Sequence, residues 1–270
     1  MFRMPRRRPL QLLAVLAVLS VTVGLAPAAG ADLKAMRVGV EGAYPPFSEV
    51  GPDGKSKGFD IDIAEAVCAR LQSRCVLVQQ DFDGLIPALQ ARKFDMIVAS
   101  MSITPERLKA VAFSDKYYST PARLVAKKGT SLQATPDGLK GKRIGVQRAT
   151  TFDRYATDNF TTAQLVRYTK QDEVYLDLAA GRVDAVLADS VATIGGFLKT
   201  PQGQGYAFTG PVYNDPKYFG VGAGIALRQS DTALKQQIND ALKAMRADGS
   251  YKKIQDRYFD FDVYGEEPKR

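Results

Sequence analysis

The feature that most constrains the fold is an internal repeat of one strand-and-helix pattern. The segment MRVGVEGAYPPF at Met36 resembles KRIGVQRATTF at Lys142, and LQARKFDMIVAS at Leu89 resembles LAAGRVDAVLAD at Leu178. Each half of the chain therefore has a first strand of the type Arg-[Val/Ile]-Gly-Val and a later strand that follows an aspartate. Either resemblance alone could arise by chance, but two in the same order predict two similar α/β lobes.

Apolar, β-branched runs alternate with helical patterns, which predicts parallel sheets with crossover helices. The predicted strands cover residues 36–40, 96–99, 124–126, 143–146, 185–188 and 224–227. The predicted fold class is α/β, with two similar lobes whose central β-sheets are flanked by helices. Ligands of open α/β sheets bind beyond the carboxyl ends of the strands. The polar residues at those ends are Glu41, Tyr44, Ser100, Ser102, Arg107, Gln147, Thr150, Thr151 and Asp189.

Residues 1–31 have the pattern of a secretory signal peptide. Four arginines in MFRMPRRRP precede an uncharged run from Leu10 to Ala26, and a small-x-small cleavage pattern ends at Ala31. The alternative is an anchoring transmembrane helix, for which the apolar run is a little short. We therefore expect an exported protein of about 239 residues, long enough for one large domain or two small ones.

The charge balance and the missing residue types exclude several functions. The chain has 37 Lys+Arg against 29 Asp+Glu, and removal of the four signal arginines leaves 33 against 29. Such a mild, interspersed excess gives little support to nucleic-acid binding. The chain has no histidine, which excludes Ser-His-Asp and Cys-His catalysis and the commonest zinc ligand. No cofactor or metal is expected.

Cys68 and Cys75 lie in AEAVCARLQSRC, at the end of an amphipathic segment. On a continuous helix their Cα atoms would be about 10 Å apart, too far for a disulfide, so the helix must end between them if they pair. We expect pairing in an oxidising compartment, and the alternative is two free buried thiols.

The stretch SMSITPER contains a candidate anion site. Thr104 is a suitable N-cap, Pro105 suits the first helical position, and Arg107 follows in the first turn. Free amides of that turn and the planar Arg107 guanidinium match a carboxylate or phosphate. The alternative is an exposed arginine in a surface ion pair.

The second lobe contributes two further candidates. In VQRATTFDRYA, Thr150 is the expected N-cap of a helix, whose first amides can also meet an anion; a plain N-cap without ligand is the alternative. Asp189 ends VDAVLAD without a nearby basic residue. A buried carboxylate there needs a cation such as a ligand ammonium, whereas a solvated loop aspartate needs none.

Glu41, Tyr44 and Phe82 complete the set. Two aromatic faces and a carboxylate suit a cationic side chain with an apolar stem, although either ring could simply be packing. The assembled groups predict a zwitterionic ligand with a second cation. Its carboxylate would bind Arg107 and the helix starts, its α-ammonium Asp189, and its side-chain cation Glu41, which describes a basic amino acid.

Several segments resemble the polar amino-acid-binding proteins of bacterial ABC importers, in particular the lysine/arginine/ornithine- and histidine-binding periplasmic proteins. They are YPPF, GFDIDIAEAVCARLQSRC, DFDGLIPALQARKFDMIVASMSITPER, AFSDKYY, GPVYNDPKYFGVGAGIALR and MRADGSYKKIQDRYFDFDVYG. The resemblance implies hinged lobes of the type II periplasmic binding protein fold, lobe 1 at 32–120 and 220–270 and lobe 2 at 121–219. It implies crossings near 119–122 and 212–222.

The resemblance also assigns roles to individual residues. It implies a disulfide between Cys68 and Cys75. It implies a ligand-binding set of Glu41, Tyr44, Phe82, Ser100, Met101, Ser102, Arg107, Thr150, Thr151 and Asp189.

Three features depart from that family. Glu41 replaces a shorter aspartate, Ala99 replaces a frequent serine, and Arg148-Ala149 occupy a turn that usually carries glycine. Arg148 matters most for the ligand. It could pair with Glu41 and weaken the case for a basic ligand, or meet an acidic group of a bulkier ligand such as an opine.

The predicted function is capture of a cationic L-amino acid (lysine, arginine, ornithine or histidine) in the periplasm and its delivery to an inner-membrane ABC permease. A monomer without nucleic-acid partners and without enzymatic activity is expected. The alternatives are an opine or other polar amino acid as ligand, a ligand-presenting subunit of a membrane sensor, or a dehydratase-type enzyme on the same scaffold. That enzyme would need Glu41, Glu173 or a lysine as its acid or base.

Overall fold

The computed structural model describes Met1, residues 34–130 and residues 132–265. Apart from Met1, the predicted signal peptide lies outside the described residues. Among the described residues, no helix has both the length and the apolarity that a membrane crossing requires.

The strands alternate with short helices along the chain. The strands are β1 Ala35–Val40, β2 Ala43–Tyr44, β3 Ser48–Val50, β4 Ser56–Lys57, β5 Arg74–Gln79, β6 Met96–Ile97, β7 Ala112–Tyr118, β8 Ala122–Lys127, β9 Arg143–Gln147, β10 Gln164–Tyr168, β11 Ala185–Asp189, β12 Tyr206–Tyr213 and β13 Ala223–Leu227. The α-helices are α1 Phe59–Arg70, α2 Leu85–Gln90, α3 Thr151–Asn159, α4 Gln171–Ala179, α5 Ser190–Thr193, α6 Pro216–Phe219, α7 Thr232–Ala247 and α8 Ser250–Gln255. Single 3₁₀ turns cover Phe82–Gly84, Arg107–Lys109 and Pro201–Gly203, and a π-helical turn covers Ile194–Leu198.

Two five-stranded sheets have the same pairing pattern. The first has the order β5-β1-β6-β13-β7 and the second β10-β9-β11-β8-β12. In each, three strands pair in parallel and two further strands continue the sheet by antiparallel pairing. We call the first sheet with its helices the first lobe, and the second sheet with its helices the second lobe. The predicted α/β class with two similar lobes is confirmed, and β1 and β9, the repeated first strands, occupy equivalent places.

The repeated Arg and Asp form the same ion pair in both lobes. Arg37 donates to Asp95 from its backbone amide at 3.0 Å and from two guanidinium nitrogens at 2.8 and 3.2 Å. Arg143 donates to Asp184 in the same way, at 2.8, 2.9 and 3.2 Å. Although burial alone raises the pKa of Asp95, the hydrogen bonds from Arg37 hold it below its ordinary value. Each pair therefore ties the first strand of its sheet to the loop that enters the next parallel strand.

The glycine of the repeated Arg-x-Gly-Val pattern is required by close packing. A Cβ at Gly39 would lie 2.7 Å from the ring of Phe94, and one at Gly145 would lie 2.6 Å from a methyl of Val174. In each lobe a buried apolar side chain therefore packs directly on the backbone of the repeated strand, β1 or β9.

The chain passes from the first sheet to the second between β7 and β8, and returns between β12 and β13. The C-terminal helices then pack on the first sheet. Ile238 and Met245 of α7 and Tyr251 of α8 are buried in the same apolar cluster as Val38 and Val40 of β1. The last described segment therefore belongs to the core of the first lobe.

The cysteines pair as expected. Helix α1 ends at Arg70, between Cys68 and Cys75, and the two Cα atoms lie 5.7 Å apart in a disulfide. The chain-entropy treatment of so short a loop gives a stabilisation of about 2.5 kcal/mol. The bond anchors α1 to β5 locally.

All six predicted strands are present, with shifted ends. Five extend by one to three residues beyond the prediction, whereas the strand predicted at 96–99 ends as β6 at Ile97. Ser100, three residues on, has a left-handed backbone with φ of 52°. The Val98 amide still donates to the Gly39 carbonyl at 3.0 Å, so pairing with β1 continues one residue beyond the strand.

The repeated ion pair predicts equal losses of stability in the two lobes. Asp95→Asn and Asp184→Asn should each lower the free energy of unfolding by about 1–2 kcal/mol, since each removes a bidentate, partly exposed pair and a charge-assisted bond to a backbone amide. Because the sites lie in different lobes, the losses should add in the double variant. Urea titration followed by circular dichroism measures both. Asp137→Asn is the control, since Asp137 is exposed; unchanged stability in both lobe variants would contradict the role of the pair.

Candidate functional site

The polar strand ends of both lobes meet at one cleft. Glu41 follows β1 and Ser100 follows β6, while Gln147 ends β9 and Asp189 ends β11. They line two adjoining cavities that share Tyr44, Ser100, Ser102, Thr151 and Phe152, and one of the two has a volume of about 310 Å³. We call the two cavities together the cleft. The predicted residues that line it are Glu41, Tyr44, Phe82, Ser100, Ser102, Arg107, Thr150, Thr151 and Asp189.

Arg107 is a partly buried cation that has no carboxylate partner among the described residues. Its guanidinium donates to the carbonyl of Ser102 at 3.1 Å and, across the cleft, to that of Ala149 at 3.3 Å. It lies over the Phe82 ring, with Cζ 5.3 Å from the centroid. No carboxylate oxygen of the described residues lies within 4.0 Å of it, and burial lowers the pKa of Arg107 to about 10. An anion in the cleft would compensate this charge.

Helix α3 begins opposite Arg107. Thr150 is its N-cap: the Thr150 hydroxyl accepts from the Asp153 amide at 3.1 Å and donates to the Gln147 carbonyl at 2.7 Å. The prediction of Thr150 as N-cap is confirmed. First-turn amides such as those of Thr151 and Phe152 have no carbonyl four residues back within the helix. They and the Thr151 hydroxyl lie where an anion held by Arg107 would extend towards the second lobe.

The predicted α-helix after Thr104 is wrong in extent. The Thr104 hydroxyl does accept from the Arg107 amide at 3.2 Å, as an N-cap would. The segment then forms only the 3₁₀ turn Arg107–Lys109, because β7 already begins at Ala112. So short a turn has a small dipole, and it does not oppose the Arg107 charge as a longer helix would.

Glu41 and Gln147 meet across the cleft. The Gln147 side-chain amide donates to a Glu41 carboxylate oxygen at 2.5 Å and to the Thr169 carbonyl at 3.1 Å. Burial raises the pKa of Glu41 to about 7, although the bond from Gln147 opposes the shift. Glu41 is therefore a carboxylate that a ligand cation would stabilise in its ionised form.

The Asp189 carboxylate accepts more hydrogen bonds than its sequence context suggests. It caps α5: Oδ1 accepts from the amides of Val191 and Ala192 at 2.8 and 2.9 Å, and the Thr120 hydroxyl donates to Oδ2. Burial nevertheless raises the pKa of Asp189 to about 6. The expectation that this carboxylate requires a cation is thus too strong, because amides and a hydroxyl already bind it. Asp189 also lines the cleft.

The predicted aromatic residues lie in the cleft, and Met101 does not. Tyr44 lines both cavities and Phe82 lines one. The Met101 side chain is 1% exposed and packs in the apolar cluster that contains Leu85 and Phe113. Any contact of Met101 with a ligand would therefore come from its backbone.

Arg148 pairs with neither of the two partners that its position in the sequence suggests. Its guanidinium lies 2.7 Å from a carboxylate oxygen of Asp83, in the 3₁₀ turn that begins at Phe82. It therefore does not pair with Glu41, and its charge is already matched by Asp83 rather than available to an acidic group of a ligand. This ion pair, the Arg107–Ala149 contact and the Glu41–Gln147 contact all join the two lobes, so the structure has the cleft closed.

Four residues in or next to the cleft are absent from the predicted ligand-binding set. Gln147 and Phe152 line the cleft from the second lobe, Thr120 binds Asp189, and Asp60 lies behind Ser100. Gln147 lies at a strand end and Phe152 follows a predicted N-cap, so a sequence pattern could have identified both as site residues. No such pattern marks Thr120 or Asp60, since each reaches the site only through the folding of a distant segment.

The fold and the cleft define a protein that encloses a small charged ligand between two lobes. The chain belongs to the bacterial extracellular solute-binding proteins, family 3, which it matches over residues 36–261. The resemblance noted in the sequence is therefore confirmed.

Two relatives and one solved structure are similar to this chain over most of its length. The L-arginine-binding protein of Pseudomonas aeruginosa is 53% identical over 255 residues, 94% of this chain and 98% of that protein. The lysine/arginine/ornithine-binding periplasmic protein of Escherichia coli is 46% identical over 253 residues, 92% of this chain and 97% of that protein. A Salmonella typhimurium periplasmic binding protein described for its high arginine specificity has a TM-score of 0.78 at 38% identity, over 84% of this chain and 99% of that one. These relatives are named as binding proteins.

Proposed function

We propose that this protein captures a cationic L-amino acid in the periplasm and delivers it to an inner-membrane ABC permease. One observation carries the proposal: Arg107, a cation with no carboxylate partner in the described part of the chain, shares a closed cleft with the buried carboxylates Glu41 and Asp189. A basic amino acid has the complementary set of charges, one anion and two cations.

Each group of the ligand has a matching partner. The α-carboxylate binds the Arg107 guanidinium and the Thr151 hydroxyl at the start of α3, and the α-ammonium binds Asp189. The side-chain cation binds Glu41, and its apolar stem packs against Tyr44 and Phe82. If the ligand had a neutral side chain, Glu41 would either be protonated or remain ionised without a cation beside it.

Closure follows from ligand binding across two lobes. In this proposal lobe 1 comprises 32–120 and 220–270, lobe 2 comprises 121–219, and the two crossing segments act as hinges. Since the ligand contacts both lobes only when they are closed, it shifts the population towards the closed form that the permease recognises. Relatives named for arginine or for lysine, arginine and ornithine support this assignment.

The Arg148–Asp83 pair favours a simple amino acid over an opine. A bulkier ligand with an extra acidic group would need a free cation beside the cleft, and Arg148 is already paired at 2.7 Å. We expect the protein to act as a monomer.

The proposal includes no catalytic step. Prolonged incubation with lysine, arginine, ornithine, histidine and dehydratase-type substrates should return each compound unchanged, as chromatography of the mixtures would show. Formation of any product would instead favour an enzyme on this scaffold.

Arg107→Ala should weaken binding of every amino acid ligand by at least about 100-fold, because the ligand carboxylate would be buried without its charge partner. Isothermal titration calorimetry across the common amino acids measures this, on protein freed of co-purified ligand. Lys109→Ala is the control: Lys109 is exposed and pairs with Glu106, so its removal should leave affinity unchanged. Tight binding by Arg107→Ala would contradict the carboxylate clamp, and a wild-type protein that binds no amino acid would contradict the function.

Glu41→Gln should distinguish ligands by the charge of the side chain. Arginine affinity should fall by about 10- to 100-fold, since a charged hydrogen bond is lost, whereas affinity for citrulline, its neutral analogue, should change by less than about threefold. Calorimetry with both ligands measures the difference. Glu49→Gln, at an acid that pairs with Lys57 away from the cleft, should change neither. A uniform loss or no loss would show that the cation site is misassigned.

Arginine binding should weaken in acid. Burial raises the pKa of Glu41 to about 7 and of Asp189 to about 6. Because both must be ionised to bind the two cationic groups of arginine, binding releases protons below pH 7, and the association constant should fall roughly tenfold between pH 7.5 and 6. Glu41→Gln should reduce this dependence to the smaller part due to Asp189, about twofold over the same range. A pH-independent affinity in the wild type would contradict the assignment.

A further inference from the structure

Asp60 is a fully buried carboxylate in the first turn of α1 that the proposed ligand contacts do not use. Its side chain is 0% exposed. Oδ2 accepts a hydrogen bond from the Ser100 hydroxyl at 2.8 Å, and Oδ1 accepts one from the Tyr117 hydroxyl at 2.7 Å. No Lys or Arg nitrogen in the described part of the chain lies within 4.0 Å of it. A buried acid without a cation is costly, so its presence here calls for a role beyond packing.

Ser100 is the strained member of this group. Its φ of 52° is left-handed, a conformation that disfavours residues with a Cβ by about 1–2 kcal/mol. Its amide donates to the Tyr117 hydroxyl at 3.2 Å. Asp60 therefore binds the Ser100 hydroxyl directly and, through Tyr117, fixes the acceptor of the Ser100 amide. In this conformation Ser100 lines both cavities of the cleft.

Asp60 is itself held firmly. The Asp60 amide donates to the Phe47 carbonyl at 2.8 Å, and the Phe59 amide donates to the Pro46 carbonyl at 3.0 Å. A Cβ at Gly58 would lie 2.3 Å from the Phe47 carbonyl oxygen, so only glycine permits this close approach. The start of α1 is thus joined to the loop that carries Tyr44 into the cleft.

We propose that Asp60 is a positioning residue for ligand binding: acting on Ser100 directly and through Tyr117, it holds residue 100 in the left-handed conformation that places Ser100 in the cleft. The inference rests on the proposed function, since it concerns the same cleft. Asp60 does not contact the ligand. Its contribution is to make a strained backbone available before the ligand arrives, so that ligand affinity is not reduced by the cost of reaching it.

A double-mutant cycle with Ser100→Gly tests this route. Glycine adopts a φ of 52° without strain, so residue 100 no longer needs to be held. Asp60→Ala should weaken arginine binding about tenfold in the wild-type background. Ser100→Gly should itself weaken binding by loss of the hydroxyl, but adding Asp60→Ala to it should cost less than about twofold. Calorimetry on protein purified from the periplasm measures the four affinities, and thermal denaturation measures stability separately.

Asp62→Ala is the matched control. Asp62 lies in the same helix and accepts a hydrogen bond from the Tyr258 hydroxyl and an ion pair from Arg257, away from Ser100. Its removal should lower stability without changing arginine affinity. If Asp60→Ala does not fold, Asp60→Asn replaces it: the amide can accept from only one hydroxyl in place of two, so about a threefold loss is expected, again absent in the Ser100→Gly background.

The outcomes separate the inference from the function on which it rests. An equal loss in both backgrounds, or unchanged affinity in Asp60→Ala, would overturn the positioning role while leaving amino-acid binding intact. Failure of the wild-type protein to bind any amino acid would overturn both.

Discussion

The structure depends on one ion pair that occurs twice. Arg37–Asp95 and Arg143–Asp184 each join the first strand of a sheet to the loop before the next parallel strand, with three hydrogen bonds from Arg to Asp. Strands rise about 3.3 Å per residue, so the register set at their start determines which side chains meet at their carboxyl ends. The two ion pairs lie at the strand starts, away from the cleft. Through the strand register they nevertheless bring Glu41 near Ser100 in one lobe and Gln147 near Asp189 in the other.

The cleft itself is electrostatically unbalanced, and in the proposed function that imbalance couples ligand binding to closure. Arg107 has a pKa lowered by burial and Glu41 and Asp189 have pKa values raised by burial, each because the charged form is poorly solvated. The Arg107–Ala149 and Glu41–Gln147 contacts join the two lobes at these groups. In the proposed function, a ligand with the opposite charge at each position relieves the imbalance in this closed form.

The sequence predicted much of this arrangement because periodic patterns report strand ends. Glu41, Ser100, Thr150 and Asp189 were identifiable as polar residues that follow apolar runs, and the helix break between the cysteines was required for their pairing. The predicted α-helix after Thr104 was too long, because the start of β7 leaves room for only a 3₁₀ turn. Propensity describes how a helix can begin, whereas its length here is set by the neighbouring strand.

The sequence by itself determined the repeated α/β plan, the charge types at the strand ends and the family, because each is encoded in local pattern and spacing. Only the tertiary structure decided which of those charges meet. It paired Arg148 with Asp83 rather than with Glu41, and it placed Asp60 behind Ser100, forty residues further along the chain. Such partners are separated by long stretches of chain and are joined by packing of whole elements, and no local pattern carries that information.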